Sequence, residues 1–160
     1  TQPFIMLDEF LLSDDAQQDH LLSNSNFGFD AQLDSIGPAL LCEWADRNPE
    51  ERYTLLGQHL GMFRQENHQE TNILSPVFLG VLNNAPDKRR FLSGTLGLLH
   101  PNGCSGSLSD VLTQRRAELM QLAEHADAGV RQWFVDLLPN LDAWIASEQS
   151  QDRESEGSFE

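Results

Sequence analysis

The sequence predicts an all-α fold of three to four antiparallel helix pairs. Three observations carry this. Apolar residues recur every three or four positions, most clearly at Val130, Trp133, Phe134, Leu137, Leu138, Leu141, Trp144 and Ile145, the stripe of a helix with one buried face. The breaks between such stripes are short, and a short break folds the second helix back along the first. Period-two alternation is absent and β-branched residues are sparse, so no segment reads as a strand.

In chain order, residues 1–12 form a dense apolar cluster around Asp8 and Glu9 and read as a short docking helix. Residues 13–24 read as a second short helix capped by Ser13, with Phe27 and Phe29 plugging the core around Gly28. A helix is expected from Asp34 to Arg47, with Ile36, Leu40, Leu41 and Trp44 inward and Gly37-Pro38 in its first turn, where proline is tolerated. Asn48 caps the next helix, Pro49 takes its first position, and Glu50 and Glu51 lie at its positive end. Its stripe is Tyr53, Leu56, Leu60 and Phe63, ending near Arg64. The polar run 65–72 reads as an exposed loop.

Ser75-Pro76 repeats the cap-then-proline signal, with Val77, Phe78, Val81 and Leu82 inward up to Asn83-Asn84. Ala85-Pro86-Asp87 opens another helix, with Phe91, Leu92, Leu96 and Leu99 inward. From Ser107 the stripe is Leu108, Val111, Leu112, Leu119 and Leu122, with Arg115 in register where an apolar residue belongs. The corner His125–Gly129 follows, and Asp127 caps the last helix. Pro139 lacks a backbone donor and predicts a kink near Leu138. The chain therefore divides into one helical domain, 1–146, and an acidic, disordered tail, 147–160, with five acids and one base.

The net charge is −15 and uneven: residues 1–50 hold ten acids against one base. Phosphate neutralisation needs a basic face, so nucleic acid and anionic membrane are disfavoured as partners, whereas a basic protein suits the charge. No run has the 18 or so apolar residues of a membrane span, and two distant thiols, Cys42 and Cys104, fit a reducing, cytoplasmic setting. The chain starts at Thr1, which reads as a trimmed chain or a fragment of something longer.

No catalytic, cofactor or metal site stands out. Gly103-Cys104-Ser105-Gly106 fails as a nucleophile elbow, because its second glycine is displaced and no strand precedes it. His100, Cys104 and Asp110 are close only in sequence. No His-x-x-x-His or Cys-x-x-Cys spacing exists, as a local metal site would require. The basic run Lys88-Arg89-Arg90, together with Arg115 and Arg116, is the candidate contact patch for a partner, weighed against a solvated face that offsets nearby acids.

The corner Asp127-x-x-Val130-Arg131 resembles the signature of HEAT repeats; the resemblance to a HEAT-like α-solenoid covers this repeat well and the rest loosely, and the first 30 residues do not share the pattern. The stretches EWADRNPEERYTLL (43–56), APDKRR (85–90), GCSGSLSDVLTQRRAELMQLAEH (103–125) and ADAGVRQWFVDLLPNLDAWI (126–145) resemble the C-terminal region of large bacterial HEAT-repeat proteins. The resemblance implies that Asp127 and Arg131 tie the corner to neighbouring repeats. It also implies a sensing or scaffolding segment of the kind that follows NTPase or effector domains in bacterial conflict proteins. The expected function is non-enzymatic protein binding. The alternative is an acidic immunity-type protein that neutralises a basic toxin.

Overall fold

The computed structural model describes residues 2–12, 29–67, 69–101, 103 and 106–157. The expected helix at 13–24, the Phe27–Phe29 plug, Cys104 and Phe159 lie outside the described residues or side chains. The chain is mostly helical with one small two-stranded sheet. In order come α1 (Gln2–Leu11), α2 (Phe29–Ile36), α3 (Pro38–Ala45), α4 (Pro49–His59), β1 (Phe63–Glu66), β2 (Gln69–Leu74), α5 (Pro76–Asn84), α6 (Lys88–Ser93), a 3₁₀ turn at Leu96–Leu99, α7 (Leu108–Leu119), a second 3₁₀ turn at Met120–Glu124, and α8 (Ala128–Gly157).

The helix expected over 34–47 is divided at Gly37. Its φ of 84° lies in the left-handed region that glycine adopts freely, and Pro38 then starts α3 with its fixed φ already helical. The break resets the helical phase: Leu41 and Trp44 are fully buried, but Leu40 is exposed. Pro49 opens α4 as expected, although Asn48 turns its amide to Glu51 at 2.6 Å instead of capping the backbone. Ser75 does cap α5, its Oγ accepting from the Val77 and Phe78 amides. Asp87 caps α6 through the Arg90 amide. Leu96, expected inward, is exposed because α6 ends at Ser93 and the 3₁₀ turn that follows has another period.

The hairpin is a correction. The expected loop at 65–72 is mostly strand, and the helix before it stops at His59, so Phe63 opens β1. The strands pair antiparallel, with Phe63 opposite Leu74, Gln65 opposite Glu70 and Glu66 opposite Gln69, and an irregularity between Phe63 and Gln65. Phe63 and Leu74 anchor the open end in the core. At the closed end Asn67 takes a φ of 51°, a conformation asparagine tolerates better than most residues.

Consecutive helices pack on each other: α3 on α4, α5 on α6, and α7 on α8. Across these pairs α3 meets α5, α4 meets α6, α6 meets α8, and β2 meets α7. Two crossings depend on glycine. A methyl group on Gly57 of α4 would overlap the Phe91 carbonyl oxygen of α6, and one on Gly80 of α5 would stand 2.6 Å from Pro38 Cβ of α3. One connected apolar cluster, from Phe4 to Ile145, results.

The last pair runs antiparallel, since Ser107 and Ser109 meet Asp152 while Arg116 meets Asp142. The expected stripe of α8 is buried or half-buried at every position from Val130 to Ile145. The helix continues through Pro139 without interruption and on to Gly157, past the point where the tail was expected to lose order. Pro139 is exposed, so its ring meets solvent and not the core.

Candidate interaction surface

The corner between α7 and α8 is built from both of its expected polar residues and one more. Asp127 Oδ1 accepts from the Val130 amide at 3.1 Å, a cap three residues on, and Val130 is fully buried beneath it. Arg131 does not pair with Asp127. Its Nη1 donates to the carbonyl oxygens of His125 (2.6 Å) and Ala126 (2.8 Å), closing the turn on itself. His125 is the residue sequence reasoning missed. Its Nδ1 accepts from the Asp127 amide at 3.0 Å, which leaves Nε2 to donate to Asn83 Oδ1 at 2.8 Å. That bond links this corner to the end of α5.

The five candidate contact residues do not form one basic patch. Arg115 is the correction: it is 1% exposed. Its guanidinium lies 4.1 Å from the Phe63 ring centroid, ion-pairs with Glu70, and donates to Asn72 Oδ1 (3.0 Å) and the Leu99 carbonyl (3.1 Å). Its position in the apolar stripe is real, and it is filled by a charge whose donors find partners on β2 and the 3₁₀ turn. Arg89 pairs with Asp136 at 2.7 Å and Arg116 with Asp142 at 2.5 Å, both reaching α8. Lys88 Nζ donates to the Ala85 carbonyl at 2.8 Å. Arg90 alone of the five has no side-chain partner among the described residues.

The same accounting covers every cation of the chain. Arg47 lies over Phe4, Arg52 meets Asp8 and the Trp44 carbonyl, Arg64 meets Glu66, and Arg153 donates to the Gln149 carbonyl. Nine of the ten Lys and Arg residues are thus engaged within the chain. Against this, Glu9, Glu43, Glu50, Asp110 and Glu124 are exposed, and none has a side-chain partner among the described residues.

An open groove of about 520 Å³ lies where the end of α8 passes the start of α7. Asp152 there accepts from Ser109 Oγ at 2.7 Å and from Ser107 Oγ at 2.5 Å, which holds its carboxyl below the usual range. Ser107 stands at the N-cap position of α7 but its side chain does not cap that helix. Its hydroxyl anchors α8, and the one legible signal was an aspartate seven residues past the end of the apolar stripe at Ile145.

Burial pushes the Cys42 thiol up, away from the thiolate a nucleophile needs. Tyr53 is pushed up by burial and by donating to Asp46 at 2.9 Å. Burial pushes His59 down. His100 stacks near Trp144, ring centroids 5.5 Å apart. Among the described residues no group of three or more His, Cys, Asp or Glu side chains could hold a metal, and no helix is long and apolar enough to cross a membrane.

Comparison with known proteins finds no matching family model, no matching curated protein and no matching solved structure.

Proposed function

We propose that this chain is a non-enzymatic protein-binding module, a HEAT-like α-solenoid whose partner presents a basic face. The observation that carries the reading is the charge balance: nine of the ten Lys and Arg residues are engaged within the chain, while Glu9, Glu43, Glu50, Asp110 and Glu124 are exposed with no side-chain partner among the described residues. Charge of one sign on a surface steers a complementary partner and repels nucleic acid. The packing order supports the stacked arrangement. Three helix pairs follow one another, and the second helices pack in succession, α4 on α6 and α6 on α8. The same charge balance suits an acidic immunity-type protein that masks a basic toxin.

Immobilised protein, exposed to lysate of its source cell, tests the reading. The captured proteins should be basic and should elute as salt rises from about 0.1 M toward 1 M, where the screening length falls from roughly 10 Å to 3 Å. A captured toxin would favour the immunity reading and a larger basic assembly the scaffold. Acidic partners, or capture indifferent to salt, would contradict both.

A further inference from the structure

The apolar stripe of α8 ends at Ile145, yet the helix runs on to Gly157. Over residues 146–155 no side chain is buried, and only Glu148 and Asp152 are half-buried. These turns lie beyond the apolar cluster, whose last buried member is Ile145. The final turn carries Glu154 and no basic residue, the wrong charge for the negative end of a helix dipole. Contact with α7 is polar: Asp152 accepts from Ser107 Oγ at 2.5 Å and from Ser109 Oγ at 2.7 Å, beside the open groove.

The Ser107 hydroxyl has a second use. Ser107 stands at the N-cap of α7 with the extended backbone of a capping residue, φ −72° and ψ 131°, but its side chain bonds none of that helix's amides. The first amides of a helix have no partner inside it. A serine at this position ordinarily accepts from the amides two or three residues on, here those of Ser109 and Asp110. Ser107 Oγ lies instead on Asp152 and on the Ser109 hydroxyl. Rotation about χ1 from one staggered well to another exchanges the two arrangements.

We propose that Ser107 is a two-position switch for the end of α8. In the first position its hydroxyl holds Asp152, and the last turns of α8 stay helical beside α7. In the second it caps α7, and those turns come free. A partner's lysine or arginine that takes the Asp152 carboxylate moves the switch to the second position. The freed segment is then an acidic arm for a basic partner. That consequence rests on the proposed function, whereas the switch itself does not.

Native-state hydrogen exchange on the full chain, resolved by residue, reads both positions at once and needs no partner. Amides 150–155 should exchange by local opening at least about 100-fold faster than amides 140–145. Asp152→Ala should speed amides 150–155 about tenfold further, as loss of a charged hydrogen bond would give. The same variant should slow the amides of Ser109 and Asp110 about fivefold, because the freed hydroxyl now caps them. Adding Ser107→Ala to Asp152→Ala should abolish the slowing and leave the fast tail. Unchanged exchange at Ser109 and Asp110 in Asp152→Ala would show that the two helices do not compete for the hydroxyl and would overturn the proposal. Slowing that persists without Ser107 would do the same. The proposal also fails if amides 150–155 exchange only with global unfolding, or exchange in Asp152→Ala as they do in the native chain.

Discussion

Arg115 shows how a single residue can be readable as an anomaly and still be misassigned. Its register in the stripe of α7 placed it toward the core, while its charge suggested the surface, and both were visible in sequence. What decides the matter is Glu70, forty-five positions earlier on a strand no local pattern announced. Removing either member leaves the other buried and unpaired, so Arg115→Ala and Glu70→Ala should each lose about 3–5 kcal/mol in urea unfolding. The double variant should lose less than the sum by about 0.5–3 kcal/mol, as residues in one network do. Additive losses would show that the pair is not a unit.

Two aspartates should give opposite pH signatures. Asp152 is held below its ordinary value of 3.8 by the Ser107 hydroxyl and then that of Ser109. Its contribution is therefore present above 3.8 and lost as pH falls through the lowered value. Asp34 is raised above 3.8 by burial, which outweighs its hydrogen bonds from Ser75 and the Gln65 amide. The folded state then holds that proton more tightly, so its contribution is present below 3.8 and lost as pH rises through the raised value. In urea midpoints measured against pH, Asp34→Asn should remove part of the decline above about pH 4 and Asp152→Asn part of the loss below it. The reverse pattern would mean the two environments are misassigned.

At the scale of elements, the helices were legible because cap, proline and stripe agree, as at Ser75-Pro76 with Phe78, Val81 and Leu82. The hairpin was not. Its residues are polar, its burial does not alternate, and its anchors are Phe63 and Leu74 at its ends and Arg115 from another helix. The one local clue was Asn67 at the turn. Crossing points were equally silent, because a glycine inside a helix names no partner. Gly57→Ala and Gly80→Ala should each cost about 1–3 kcal/mol, since helices in contact would have to part. Gly97→Ala, with no atom within 4 Å of the added carbon, should be neutral or stabilising by up to about 1 kcal/mol. Thermal unfolding of the three variants separates steric crossings from mere loss of flexibility. Pro139→Ala should stabilise α8 by up to about 3 kcal/mol, because an exposed proline there only removes a helix donor. A destabilised Pro139→Ala protein would reveal a role for that ring.

For the whole molecule, composition made the charge legible but not its distribution. That nine of ten cations are engaged within the chain depends on contacts across helices, such as Arg89 with Asp136 and Arg116 with Asp142, which no run of sequence displays. On the proposed function, a partner meets the exposed carboxylates left without partners, and that proposal can be put to one measurement. The partner recovered by capture should be titrated against the native protein and against a Glu43→Lys, Glu50→Lys, Glu124→Lys triple variant at several salt concentrations. The account predicts that the native protein loses affinity as salt rises. It predicts that the folded triple variant binds at least about tenfold more weakly at low salt, equivalent to roughly 1.4 kcal/mol, with a shallower salt dependence. Equal affinity and equal salt dependence for the two proteins would contradict it.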